Sequence, residues 1–161
     1  MTAENAAHFR REVDEIAARY PDSRSATLPA LRLAQEHHGG WLPVEALREV
    51  AEVLDLTPAY CQAVASFYDM FHLEPVGRHM VEICTNLSCA LVGAQRVIDA
   101  FESTLGIKAG ETTEDGEITF RAVECLGGCG YAPVVAVDSR YRHNVEPEDA
   151  AAIVEEIRGA A

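Results

Sequence analysis

The sequence predicts an α/β chain, in the α+β sense, made of two parts: an N-terminal helical bundle over residues 1–75 and a strand-and-helix domain over residues 76–161. Three observations predict this. Apolar residues recur at helical spacing throughout the first part. The character of the chain changes near Pro75-Val76-Gly77. Beyond that point strand-type and helix-type segments follow in the order β-α-β-β-α.

In the first part, residues 4–20 read as a helix, with Phe9, Val13, Ile16 and Tyr20 on one face and Pro21-Asp22 ending it. Thr27 is placed to cap a second helix, with Pro29 in its first turn and Leu28, Leu31 and Leu33 apolar; Gly39-Gly40 stops it. Pro43 opens a third, carrying Val44, Leu47, Val50, Ala51 and Leu54. Thr57-Pro58 opens a short fourth through about Ser66. The stretch Phe67 to Phe71 reads equally well as extended or helical.

In the second part, His79 to Cys84 has strand composition, and Leu87 to Leu105 reads as one long amphipathic helix with Gly106 as its C-cap. Ile118 to Val123 alternates as a second strand, and Pro133 to Val137 reads as a third. Tyr141 to Val145 reads as a short fourth strand, reached through a turn at Asp138-Ser139. Asp149 to Ile157 closes the chain as a helix. This order suits a thioredoxin-like layer, in which the first two strands, joined through a helix, form a right-handed crossover.

The chain has 161 residues, of which 48% are apolar and 24% charged. That is enough to bury a core and too balanced for a disordered tail. No apolar run approaches the roughly 18 residues of a membrane-spanning helix. The acidic N-terminus lacks the apolar core of a secretory signal. The formal net charge of −13 argues against nucleic acid, which needs clustered Lys and Arg. No Gly-x-Gly-x-x-Gly after a strand and no phosphate-binding loop is present, so the chain offers no recognisable site for NADH or a flavin.

The chemistry concentrates in cysteines. There are five, an odd number that reads poorly as a disulfide framework. Cys84 and Cys89 lie at the end of the first strand, and Cys125 and Cys129 at the end of the second. If those strands are sheet neighbours, the two pairs converge. Both spacings fit structural zinc as well as an iron–sulfur cluster. The loop Cys125-Leu-Gly-Gly-Cys129-Gly tilts the choice toward a cluster. An all-cysteine [2Fe–2S] core carries about −2, and glycines let backbone N–H groups approach sulfur. A helix start near Ser88 adds a favourable dipole. Zinc stays open on this basis. Dithiol catalysis is disfavoured, because neither pair has the two-residue spacing of thioredoxin chemistry. Cys61, among Tyr60, Ala63 and Val64, reads as a small buried hydrophobe.

The motifs resemble a known family. Leu28-Pro-Ala-Leu31, Gly40-Trp-Leu-Pro43, Val64-Ala-Ser-Phe-Tyr68, Met70-Phe71, Cys84-Thr-Asn-Leu-Ser-Cys89 and Leu105-Gly-Ile all occur. So do Gly110-Glu-Thr-Thr-Glu-Asp-Gly116, Cys125-Leu-Gly-Gly-Cys129 and Ala132-Pro133. In order and over nearly the whole chain, they resemble the thioredoxin-like [2Fe–2S] subunit of NADH:quinone oxidoreductase, respiratory complex I. The resemblance implies one [2Fe–2S] cluster, with Cys84, Cys89, Cys125 and Cys129 as ligands, and decides cluster over zinc. It implies an electron-transfer role with no catalytic residue of its own, beside a flavin-bearing NADH-oxidising subunit that holds FMN and NADH. Other peripheral-arm subunits complete the assembly. The implied location is cytoplasmic, peripheral on the inner face of the cell membrane, without direct insertion. Similar modules occur in NAD-linked hydrogenases, NAD-dependent formate dehydrogenases and electron-bifurcating complexes. The alternative outside redox chemistry is a zinc-stabilised docking module.

Three features stay divided between function and packing. Trp41 and the Phe67–Phe71 stretch read either as partner contacts or as packing residues. Adjacent His37 and His38 read as a solvated helix end, since the six histidines show no ligand spacing. Pro133 reads from sequence as a strand start, while the resemblance implies that it shapes the Cys129 loop.

Overall fold

A computed structural model of the chain describes residues 3–159. The chain divides into two compact units, Met1–Pro75 and Val76–Ala161.

The first unit contains helices α1 (Ala3–Ala17), α2 (Thr27–His37), α3 (Val44–Val53) and α4 (Pro58–Phe67), with a 3-10 turn at Ser23–Ala26. Phe9 and Val13 of α1 pack with Leu31, Leu42, Leu47, Val50, Leu54 and Phe71 in its core. α1 stops before Tyr20, which is exposed. The Arg19 and Tyr20 N–H groups bond three residues back, to Ile16 O and Ala17 O, and so tighten the last turn out of the helix. The start of α2 also differs from expectation. Asp22 Oδ1 accepts the Ser25 N–H at 3.1 Å and begins the 3-10 turn, so Thr27 lies buried inside the run rather than capping it. Thr57 does cap α4, accepting the Tyr60 N–H at 3.2 Å ahead of Pro58.

The stretch after α4 is irregular, and one side chain organises it. Gln35 accepts the His72 N–H at 2.8 Å and donates to Met70 O at 3.1 Å. Leu42 N–H donates to His72 O at 2.7 Å. Phe71 is thereby fixed in the core, while Phe67, Tyr68 and Met70 face outward. His37 and His38 are not simply solvated. Their Nε2 atoms lie 3.0 Å from Glu12 and 2.8 Å from Glu49, and tie the end of α2 to α1 and α3. Trp41 is half-buried.

The second unit contains β1 (His79–Cys84), α5 (Leu87–Leu91), α6 (Ala94–Leu105), β2 (Ile118–Val123), β3 (Val135–Val137), β4 (Arg140–Arg142) and α7 (Asp149–Gly159). The sheet order is β2-β1-β3-β4. β1 and β2 are parallel, from His79 opposite Ile118 to Cys84 opposite Val123; β3 and β4 join antiparallel. The fold is therefore the α/β, thioredoxin-like layer that the element order suggests. The expected long helix is two helices. Gly93, at φ 102°, takes a left-handed conformation and begins α6 afresh, leaving α5 as a short separate helix. Asp138 and Ser139 both have positive φ, as a tight hairpin requires.

Alternation along the strands puts Val81, Ile83, Ile118, Phe120, Val135 and Val137 in one core with α6 and α7. Val97, Ile98 and Phe101 of α6 and Ile153, Val154 and Ile157 of α7 cover them. Phe101 stacks on Phe120 with ring centroids 6.0 Å apart. On the other sheet face Glu82 pairs with Arg121 at 2.6 Å, opposite one another in the β1–β2 register. Among the described residues no helix is long and apolar enough to cross a membrane.

Two substitutions test this packing. Phe101→Ala leaves a void against Phe120 and should cost about 3–5 kcal/mol in chemical denaturation. Gly77→Ala places a Cβ 2.8 Å from the backbone of Ile118 and Thr119. Its expected loss is about 1–3 kcal/mol. A denaturation midpoint equal to the parent's in either variant would contradict the placement.

Candidate metal centre

β1 ends on Cys84 and its register partner is Val123, the last residue of β2. The two strands therefore deliver their following loops to the same edge of the sheet. Three hydrogen bonds lash the chain ends there. Thr85 N–H and hydroxyl both donate to Val123 O, at 2.9 and 3.0 Å, and Cys84 N–H donates to Val134 O at 3.1 Å.

From this edge each cysteine is positioned by its own local structure. Asn86 caps α5, and α5 turns Cys89 inward beside Cys84, Ala94 and Val134. After β2 the chain runs through Glu124 to Cys125, and the Gly127 N–H comes back to Cys125 Sγ at 3.3 Å. Gly127 has φ 75°, a left-handed conformation that suits glycine. Gly128 is required for a different reason: a Cβ there would lie 2.9 Å from Val134 Cγ2. Gly130, by contrast, faces open space. Cys129 begins a 3-10 turn through Tyr131, followed by a cis Ala132-Pro133 peptide.

The structure brings all four sequence-selected thiols to this edge. Cys84 interacts with Cys89 and Cys125, and Cys89 with Cys84 and Cys129. The set is split in exposure. Cys84 and Cys89 are buried, and Cys125 and Cys129 are exposed. Burial pushes the Cys84 thiol up, but the N–H groups of Asn86 and Leu126 and the Cys89 and Cys125 thiols outweigh it, leaving Cys84 below the ordinary thiol value. Cys89 stands above it. Burial is the main cause, Cys84 adds to it by hydrogen bond and charge, and the Cys129 charge adds further. The donor set is thus four thiols with backbone N–H groups aimed at sulfur, which fits a group that is anionic overall.

Among the described residues, no three His, Cys, Asp or Glu side chains gather around a single ion position. A two-iron core does not need that, because it spreads four thiolates over two metal ions. Cys61 lies fully buried in the core of the helical unit, where burial raises its thiol. Val134 and Thr85 also shape the site, and the sequence alone did not single them out. Val134 walls the site and its carbonyl ties down Cys84, and Thr85 clasps β2. The only sequence signal for either was the adjacency of Pro133 and Cys84.

Residues 13–158 match the family model described as thioredoxin-like [2Fe–2S] ferredoxin. The chain is 45% identical over 152 residues to a subunit of the NADH-quinone oxidoreductase of Rhizobium meliloti (strain 1021), covering 94% of this chain and 90% of the relative. It is 40% identical over 147 residues to a subunit of the NADH-quinone oxidoreductase of Rickettsia bellii (strain RML369-C), covering 90% and 88%. Among solved structures, NAD+-reducing [NiFe]-hydrogenase in its air-oxidised state matches with a TM-score of 0.70 at 22% identity, over 81% of this chain. That match spans 23% of the hydrogenase chain and shows a shared fold. The N–H-lined four-cysteine edge, the thioredoxin-like sheet and a family match over most of the length agree: the chain belongs to the thioredoxin-like [2Fe–2S] ferredoxin family.

Proposed function

We propose that this chain is an electron-transfer component of NADH:quinone oxidoreductase, holding one [2Fe–2S] cluster on Cys84, Cys89, Cys125 and Cys129. The observation that carries the proposal is the convergence of these four thiols at one sheet edge in a chain of this family. The cluster supplies reversible one-electron chemistry. The chain's residues hold it and set its surroundings. Cys84 and Cys89, which are buried, and Cys125 and Cys129, which are exposed, would together hold it. The Gly127 N–H stabilises charge on Cys125, and the Asn86 and Leu126 N–H groups do so on Cys84.

The chain lacks a dinucleotide fingerprint, so NADH oxidation belongs to a partner subunit carrying NADH and FMN, with this chain exchanging single electrons with that flavin. The two relatives from NADH-quinone oxidoreductases support this placement. The complex then holds the chain on the inner face of the cell membrane, in agreement with the absence of a spanning helix among the described residues.

Cysteine variants test the ligand set. Cys129→Ser should lose most of its iron or show an altered visible spectrum, while Cys61→Ser keeps both. Iron loss in Cys61→Ser, or a full unaltered cluster in Cys129→Ser, would overturn the assignment. A second test separates the glycines. Gly128→Ala must push Val134 aside and should release iron to a chelator at least about threefold faster, since a displacement of this kind costs about 1 kcal/mol or more. Gly130→Ala, facing open space, should match the parent; equal rates in both variants would remove Gly128 from the site.

A further inference from the structure

The turn that carries Cys129 supports itself poorly. Three of the seven residues from Cys125 to Tyr131 are glycine, which packs no side chain and loses the most conformational freedom on ordering. Gly130, next to Cys129, faces open space. Within the turn the Tyr131 N–H donates to Gly128 O at 2.9 Å and closes a loop around Cys129. Whatever fixes Tyr131 therefore fixes the loop that holds this cysteine.

Tyr131 is fixed from one short segment that follows β4. Asn144 N–H donates to Tyr131 O at 2.8 Å, and Val145 N–H donates to Pro133 O at 3.1 Å. The His143 ring stacks on the Tyr131 ring, with centroids 4.7 Å apart and planes 21° from parallel. It also meets the Tyr141 ring edge-on, at 6.3 Å and 73°. The segment is firmly based. Val145 is buried in the core with Ile153 and Val154 of α7, and Tyr141 sits in β4 opposite Ala136 of β3. The two backbone bonds hold the chain after the turn, at the Tyr131 and Pro133 carbonyls. The stack holds the Tyr131 side chain, the first bulky one after Cys129. Tyr131 and His143 are both exposed, so their contact adds little to the core and acts on the turn itself.

We propose that His143 is a positioning residue for Cys129, bracing the Cys129–Tyr131 turn through its stack on Tyr131. The inference rests on the proposed ligand role of Cys129. The route runs from the His143 ring to the Tyr131 ring, and from the Tyr131 N–H to Gly128 O, with Cys129 inside the loop so closed. The brace uses the flat face of the ring rather than its nitrogens, so another planar ring serves as well. Without it the turn loosens, Cys129 leaves its place more often, and water reaches the sulfur. Water favours the more negative, reduced form of a cluster held there, so a looser turn raises the reduction potential.

The test compares holo-chains carrying His143→Ala, His143→Phe, Tyr131→Ala and the double alanine variant. Iron release to a chelator, reduction potential and the chemical-denaturation midpoint are measured for each. His143→Ala should release iron about threefold faster or more, as loss of one aromatic stack does, with a raised potential and the parent's midpoint. His143→Phe should restore the parent's rate and potential. The double variant should release iron no faster than Tyr131→Ala alone, because both substitutions remove one contact. Parent-like release and potential in His143→Ala would overturn the brace. So would equal losses in His143→Phe and His143→Ala, or losses that add in the double variant. A lowered midpoint that accounts for the faster release would overturn it too, since His143 would then support the fold and not the turn. A parent chain that carries no iron would overturn the ligand reading and the brace with it, whereas an iron-bearing parent with an unaltered His143→Ala overturns the brace alone.

Discussion

The parallel pairing of β1 with β2 is the constraint on which the site depends. β1 ends on the first cysteine of one pair, β2 leads directly into the other pair, and the register sets Cys84 against Val123. A shift of one residue would turn Val81, Ile83 and Phe120 out of the core, so the packing against α6 and α7 locks the register. The cysteine edge thus inherits its geometry from a hydrophobic core that contains none of the four cysteines. The hydrogen bonds from Thr85 to Val123 O and from Cys84 to Val134 O extend this order one step past the strands, where the sheet itself ends.

Beyond that edge the site is organised by charge. Four thiolates held around two irons would repel one another, and low-dielectric surroundings would raise the cost. The structure answers with backbone donors rather than cationic side chains. Asn86 and Leu126 N–H groups act on Cys84, and Gly127 N–H acts on Cys125. Neutral donors stabilise sulfur without adding a formal charge, and both loops are free of Asp, Glu, Lys and Arg from Cys84 to Cys89 and from Cys125 to Cys129.

Much of this was legible in residues alone. Helical and strand periodicities located most elements, and the cysteine spacing together with the glycine loop located the site. What was not legible depended on local caps and turns or on tertiary contact. The break between α5 and α6 hangs on one glycine, Gly93, in a left-handed conformation that an amphipathic pattern does not report. The start of α2 was hidden because Asp22 caps a 3-10 turn that begins at Ser23, ahead of Thr27. Val134 read as an ordinary strand residue, yet its carbonyl and side chain shape the cysteine edge. His37 and His38 read as solvated because their partners, Glu12 and Glu49, lie on other helices. Spacing alone also left zinc and iron–sulfur open. The convergence of donors and the family match together favour the cluster.

The central claim is that the four cysteines at the β1–β2 edge hold a two-iron cluster that cycles by single electrons. Metal and sulfide analysis of the purified chain, joined to electron paramagnetic resonance before and after reduction, tests it most directly. The expected result is about two irons and two acid-labile sulfides per chain, silent when oxidised and paramagnetic once a single electron is added. A colourless chain holding one zinc and no sulfide, with no signal in either state, would contradict it.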